Sequence, residues 1–196
     1  MGYLLNEGTF SRLDETLLQK TASFTCGNED LDEFFHRDCI LYERELFGKT
    51  YCFYQSRDIT NIICAFTVSN ASIFTNYLPN ARKKKIGKEI PHAKQDLIYP
   101  AVLIGRLGIN INYQHLHIGT ELLDLIKSWF TEPSNKTGCR YLVVDAYNSS
   151  IPISFYKKNG FEFVFSTDKQ ERIYRNIQTD EPLRTRLMFF DLIRII

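Results

Sequence analysis

Hydrophobic positions fall into runs whose period changes along the chain. Val102, Leu103 and Ile104, continued by Leu107 and Ile109, read as a buried strand. Polar Asn110 to His117 interrupt the run. Ile118, Leu122, Leu125, Ile126 and Trp129 then share one face of a helix, predicted over Ile118–Phe130. Earlier, Leu31, Phe35, Cys39, Tyr42 and Leu46 make a helical stripe. Asn28 caps it, Glu29 and Asp30 put negative charge in its first turn, and it stops near Phe47-Gly48. Thr50 to Gln55 and Ile62 to Val68 read as strands around an Arg57-Asp58 turn. Before them, Leu13, Leu17 and Leu18 fit a short helix or a strand-like arm.

Tyr141 to Ala146 is a further apolar strand. Ser149 or Ser150 caps the next helix, with Pro152 early in it, and Asn159-Gly160 ends it in a left-handed cap. Phe161, Phe163 and Phe165 alternate as a strand. Thr167 to Glu181 is charged and predicted to be exposed, and Leu187 to Ile193 is a last strand. Two apolar strands that each lead into a helix indicate an α/β layer fold, expected as a single domain over residues 1–196. A strand that turns directly into a helix aims free N–H groups and a positive dipole end at the space above the turn, which is an anion site.

Composition narrows this picture. The net charge is +1, so nothing global demands nucleic acid or membrane. No apolar run nears the ~20 residues that span a bilayer, and MGYLLNEGTF lacks the features of a signal peptide. Five cysteines without close pairing imply reduced thiols and a cytoplasmic protein, and metal-ligand spacing is absent. One segment departs from the average. Residues 79–94 hold Arg82, Lys83, Lys84, Lys85, Lys88 and Lys94 against one acid, Glu89. Pro79, Gly87 and Pro91 argue against a long helix, so a solvated basic loop is expected. Its functional alternative is a phosphate contact, to RNA or to a nucleotide.

The turn before the Ile118 helix reads Gln114-His115-Leu116-His117-Ile118-Gly119. It resembles the acyl-CoA pyrophosphate loop of the GNAT acetyltransferase superfamily, Gln/Arg-x-x-Gly-x-Gly/Ala, with His117 at the first glycine. A histidine there is expected to need a negative φ and an outward ring. Asn148 to Phe161, NSSIPISFYKKNGF, resembles the family's later segment, an asparagine and a short helix ending Phe/Leu-Tyr-x-x-x-Gly-Phe. The opening Cys26-Gly27-Asn28-x-x-Leu31-Asp32-x-Phe34 resembles the subgroup that contains toxins acetylating aminoacyl-tRNA, together with uncharacterised relatives.

The resemblance implies a GNAT-like α/β domain, a central mixed, mostly antiparallel sheet flanked by helices. It implies an acetyl-CoA-dependent N-acetyltransferase in which a primary amine attacks the thioester directly, with acetyl-CoA as cosubstrate and no metal. Leu107, Gly108 and Ile109 would offer a backbone donor to the acetyl oxygen, and Gly108 close access to pantetheine. Gln114, His115, Leu116, His117, Ile118, Gly119 and Thr120 would hold the pyrophosphate, and Asn148 the pantetheine amides. Asn148 stands one residue away from the usual offset to the tyrosine. Tyr156 would support the leaving thiolate; otherwise it is a core aromatic. Aminoacyl-tRNA is the acceptor in the toxin subgroup; a small molecule or protein amine competes with it. The different-class alternative is a degenerate, non-enzymatic acyl-CoA-binding module. A ribbon-helix-helix antitoxin and a homodimer complete the implied partners, without a membrane.

Overall fold

The computed structural model describes residues 2–88, 90, 98–178 and 181–196. The strands are β1 (Gly8–Arg12), β2 (Lys49–Gln55), β3 (Asp58–Phe74), β4 (Ile98–Ile109), β5 (Tyr141–Tyr147), β6 (Glu162–Phe163) and β7 (Thr185–Asp191). They follow the order β1-β2-β3-β4-β5-β7-β6 in one open sheet, flanked by helices. The β1–β2, β2–β3, β5–β7 and β6–β7 pairs are antiparallel. The chain divides into two compact units, Met1–Ser69 with Ile104–Ser128, and Asn70–Leu103 with Trp129–Ile196. No helix among the described residues is long and apolar enough to cross a membrane.

In the first unit, α1 (Tyr3–Glu7) leads into β1, and α2 (Glu15–Leu18) is capped by the Asp14 carboxylate, which accepts from Leu17 N at 2.8 Å. Asn28 caps the next helix as predicted, accepting from Leu31 N at 3.2 Å. That helix is interrupted. It runs as α3 (Glu29–Glu33), a π turn (Phe34–Asp38) and α4 (Cys39–Arg44). The wide turn shifts the phase of the stripe. Phe34 and Phe35 both turn inward and pack with Leu13, Leu17, Phe24, Cys39, Cys52, Ile62 and Ala65. Leu46, expected on the stripe, lies beyond the helix end at φ +59 and is 90% exposed. β3 continues to Phe74 rather than stopping at Val68. The inner face of α6 (Ile118–Thr131) is Ile118, Leu122, Leu123 and Ile126, with Leu125 half-buried.

The second unit corrects three expectations. The basic stretch is a short helix, α5 (Asn80–Ile86), not a loop. Its inner side is occupied. Arg82 donates to the carbonyls of Val164 (2.9 Å) and Phe163, Lys85 pairs with Glu162, and Ile86 is buried. Glu89, Pro91 and Lys94 lie outside the described residues. The predicted Phe161–Phe165 strand shrinks to the two residues of β6, after which Val164 N reaches Leu187 O at 2.9 Å. Residues 167–181 are not simply exposed. They include α8 (Asp168–Arg175), whose Glu171 is fully buried. Its carboxylate accepts from Arg175 Nη2 (2.8 Å), Arg186 Nε (2.7 Å) and Leu187 N (2.7 Å). Arg175 also pairs with Asp145, and Arg186 with Asp168. A buried carboxylate is tolerated only when paired and hydrogen-bonded in this way. The hydrophobic cluster of this unit is Ile73, Leu78, Ile86, Ala101, Tyr141, Val143, Val164, Phe165 and Phe189, with the Tyr141 hydroxyl donating to Ile86 O at 2.7 Å.

Candidate functional site

The sequence-predicted residues fall in both units. Leu107 to Thr120 belong to the first, and Asn148 and Tyr156 to the second. In the first, β4 ends at Ile109, a single 3-10 turn covers Ile111–Tyr113, and an exposed loop leads into α6. His115 and His117 have φ +66 and +60. The expectation of a negative φ at His117 is therefore wrong. The histidine takes the left-handed conformation that a glycine would take, and its ring is exposed. Histidine is among the residues enriched there, at a cost of ~1 kcal/mol or more.

The consequence lies in the amides. Among the described residues, the backbone N–H groups of Gln114, His115, Leu116, His117, Ile118 and Gly119 donate to no acceptor; bonding resumes with Thr120 N and Glu121 N, which donate to His117 O at 3.1 and 3.2 Å. Left-handed residues among successive free amides are the backbone pattern of anion-binding nests, and the N-terminal dipole end of the 14-residue α6 has the same sign.

The loop is held from below. Asn110 is buried; its Nδ2 donates to Ile62 O (2.9 Å), its N to Ile63 O (3.0 Å), and its Oδ1 accepts from Asn112 N (3.0 Å). Gln114 Nε2 donates to Cys26 O (2.8 Å) and Ile109 O (3.1 Å), so this side chain is a strut as well as a motif residue. Asp32 in turn fixes the Cys26 segment, accepting from Cys26 N and Thr25 Oγ1, each at 2.7 Å. Partial burial pulls the Asp32 carboxyl up, but these bonds outweigh it and lower the pKa. Gly108 also faces this segment. A β-carbon there would lie 3.2 Å from Cys26 Sγ and from the Phe24 ring, which explains the glycine by packing. Leu107 and Ile109, on either side of it, are half-buried. Beside the loop, an open groove of about 450 Å³ is lined by α1, α6 and the loop end, among them Tyr3, His117, Thr120, Glu121 and Asp124.

In the second unit, α7 (Ser150–Lys158) carries Tyr156. Ser149 is the capping residue, without a side-chain cap bond. At the other end Phe161 N donates to Tyr156 O and Gly160 N to Lys157 O, each at 3.0 Å, with Gly160 at φ +83. This is a Schellman ending, and its usual apolar contact is the Tyr156–Phe161 ring pair, centroids 5.4 Å apart. The cap thus fixes the Tyr156 ring. Its hydroxyl has no hydrogen-bond partner among the described residues, and burial pushes the phenol well above its ordinary value of ~10. Asn148 is exposed, and one N–H of its amide is already given to Leu183 O at 2.9 Å.

All five cysteines are free. Burial raises Cys26 and Cys52 to about 12 and Cys39 and Cys139 to about 11. They are protonated at neutral pH, which removes them as nucleophiles.

No family model matches the chain. Solved structures do. AtaT complexed with acetyl-methionyl-tRNAfMet superposes with a TM-score of 0.68 at 21% identity, covering 96% of this chain and 97% of that one. AtaTR bound with AcCoA gives 0.67 at 18% identity, covering 97% and 96%. A KacTA–DNA complex gives 0.65 at 18% identity, covering 96% of each. The fold is GNAT-like.

On this GNAT-like fold, sequence reasoning missed the groups that hold the loop. Asn110 carries no motif signal beyond being a polar residue beside an apolar run, and Asp32 enters only as a letter of the opening motif, with no role attached. Glu171 was hidden by the charged residues around it, since a buried carboxylate and an exposed one look alike in a charge run.

Proposed function

We propose that the protein is an acetyl-CoA-dependent N-acetyltransferase that acetylates the α-amine of an aminoacyl-tRNA by direct attack on the thioester. The observation that carries this is the run of free amides from Gln114 to Gly119 at a strand-to-helix turn. It suits a pyrophosphate, and structures of similar fold were solved with AcCoA and with an acetylated aminoacyl-tRNA. In this reading the loop takes the pyrophosphate, and a backbone N–H of Leu107–Ile109 takes the acetyl oxygen. Asn148 offers its amide oxygen and its second N–H to pantetheine, one N–H being given to Leu183 O.

Tyr156 stays protonated and donates a hydrogen bond to the departing sulfur. Full proton transfer is uphill, because its raised pKa lies further above a thiol's ~8.5 than a free tyrosine does. AtaT and KacT were both also solved as tyrosine-to-phenylalanine mutants. An α-amine with a pKa near ~8 is partly neutral at pH 7, so the reading requires no strong base. An antitoxin partner belongs to the same proposal, since AtaT was solved with the C-terminus of AtaR. Action on tRNA would place the protein in the cytoplasm.

The test is Tyr156→Phe, with acetyl-CoA binding measured alongside rate. Turnover on aminoacyl-tRNA is expected to fall ~10²-fold, the scale for a positioned acid, while the KM for acetyl-CoA stays put. A folded variant with unchanged turnover would return Tyr156 to a packing role. A wild-type protein whose thermal unfolding ignores millimolar acetyl-CoA would remove the activity altogether, because a ligand at ~100 times its Kd stabilises by about 2.7 kcal/mol.

A further inference from the structure

The proposed function gives the basic segment no role. Between Tyr77 and Lys88 there are five basic residues and no acidic one. The second unit sorts them. Arg82 and Lys85 are held by Phe163, Val164 and Glu162 on the inner side of α5. The side chains of Lys83, half-buried, and Lys84, exposed, make no hydrogen bond or ion pair among the described residues. One turn before the helix, Tyr77 is 72% exposed, yet its ring is fixed against Tyr174, centroids 6.2 Å apart at 68°. Tyr174 is anchored on buried Phe165, centroids 4.8 Å apart. On the same helix as Tyr174, Lys169 and Ile173 are exposed as well. Three acids of the described residues are already engaged. Glu162 holds Lys85 and Arg194, Asp168 holds Arg186, and Glu171 is buried with two arginines.

An edge-on contact leaves a face of the Tyr77 ring open, and holding it still removes the entropy of ordering it on binding. An exposed, pre-positioned aromatic followed within two turns of chain by lysine side chains without a partner among the described residues is a combination that single-stranded nucleic acid uses, bases on the ring and phosphates on the lysines. An acidic peptide would use the lysines but has no need of the ring. We propose that Tyr77, Lys83 and Lys84 form an RNA-binding surface that holds an unpaired base and the adjoining phosphates of the acceptor. The choice of RNA as ligand rests on the aminoacyl-tRNA reading above; the placement of the surface does not.

The experiment measures binding and transfer separately. Binding of deacylated bulk tRNA is titrated over a range of salt for the wild type, Lys83→Ala/Lys84→Ala, Tyr77→Ala and Tyr77→Phe. The lysine pair should lower the slope of log K against log salt by about 0.7 for each phosphate that is no longer neutralised. Tyr77→Ala should weaken binding about tenfold, and Tyr77→Phe should restore it, because stacking needs the ring and not the hydroxyl. Acetyl transfer to puromycin, an aminoacyl-nucleoside without a phosphate chain, should be unchanged in every variant. Unaltered tRNA affinity and salt slope in the lysine variant would overturn the proposal, and that variant removes no bond that the fold makes. Equal loss toward tRNA and puromycin would overturn it too, as would binding of poly-glutamate as tight as that of tRNA. If tRNA binding follows the three residues while no acceptor is acetylated, the surface stands and the transferase reading falls.

Discussion

Cys39, Cys52 and Cys64 lie buried in the first unit as neutral thiols. The second unit instead buries Glu171 between Arg175 and Arg186, and pairs Asp191, 3% exposed, with Arg140 at 2.7 Å. The first interior, apart from polar groups such as buried Asn110 and the Lys127–Asp124 pair, is held by ring and aliphatic contacts, which are non-directional and tolerant. The second depends on fixed charges that are tolerable only together, since losing one leaves the other uncompensated. The difference also separates their tasks. The first unit offers backbone amides on a loop, while the second uses its charge network to seat α8, and with it Tyr174.

The comparison breaks most sharply at Glu171. Glu171→Gln turns one acceptor into a donor facing guanidinium groups, and should cost ~3–5 kcal/mol. Trp129, the single tryptophan, belongs to the second unit, so its fluorescence in a urea titration reads that loss directly. A change under ~1 kcal/mol would mean that the network is incidental, within the range of an ordinary surface substitution.

Alkali probes the other side. Buried thiols bind protons in the folded state at a pH where the unfolded chain has lost them. Stability therefore falls as pH rises from about 9 toward 12. Cys52, held near 12 instead of 9.0, alone accounts for a loss that reaches ~4 kcal/mol only as pH approaches 12. Tyr141, raised to about 12, adds the same sign in the second unit. Urea midpoints from pH 8 to 11 should show the slope, and Cys52→Ala should flatten it. An equal slope in that variant would assign the alkaline loss elsewhere.

The smallest effect is at the loop. His117→Gly relieves ~1 kcal/mol of left-handed strain but adds the backbone freedom of glycine, so stability should barely change and acetyl-CoA should bind as well or a few-fold better. His117→Val, β-branched at positive φ, should lose binding by calorimetry. If valine binds like histidine, the left-handed turn is not what shapes the amide surface.

Much of this was legible beforehand. The β4 strand, the α6 helix, the Asn28 cap and the Gly160 ending follow from apolar period and from residues with few conformational options. The strand-to-helix turn was legible for the same reason. What stayed hidden depends on partners distant in sequence. Asn110 and Asp32 act on carbonyls and amides that only the fold brings to them, and Lys85 looks like Lys84 until Glu162 is beside it. His117 failed in the opposite direction. The motif specifies a backbone angle, and residue type is an imperfect record of angle.

The π turn at Phe34–Asp38 has a consequence for chain length. Such a turn stores one residue more than the α turn it replaces. A single-residue deletion inside it can close the helix to regular α geometry while α3 and α4 keep their own faces. The same deletion in α6 would rotate everything after it by about 100° and turn its buried leucines toward water. Within this protein, tolerance of a lost codon is therefore local, and it sits in the helix over Glu29–Arg44, not in the one that begins at the amide loop.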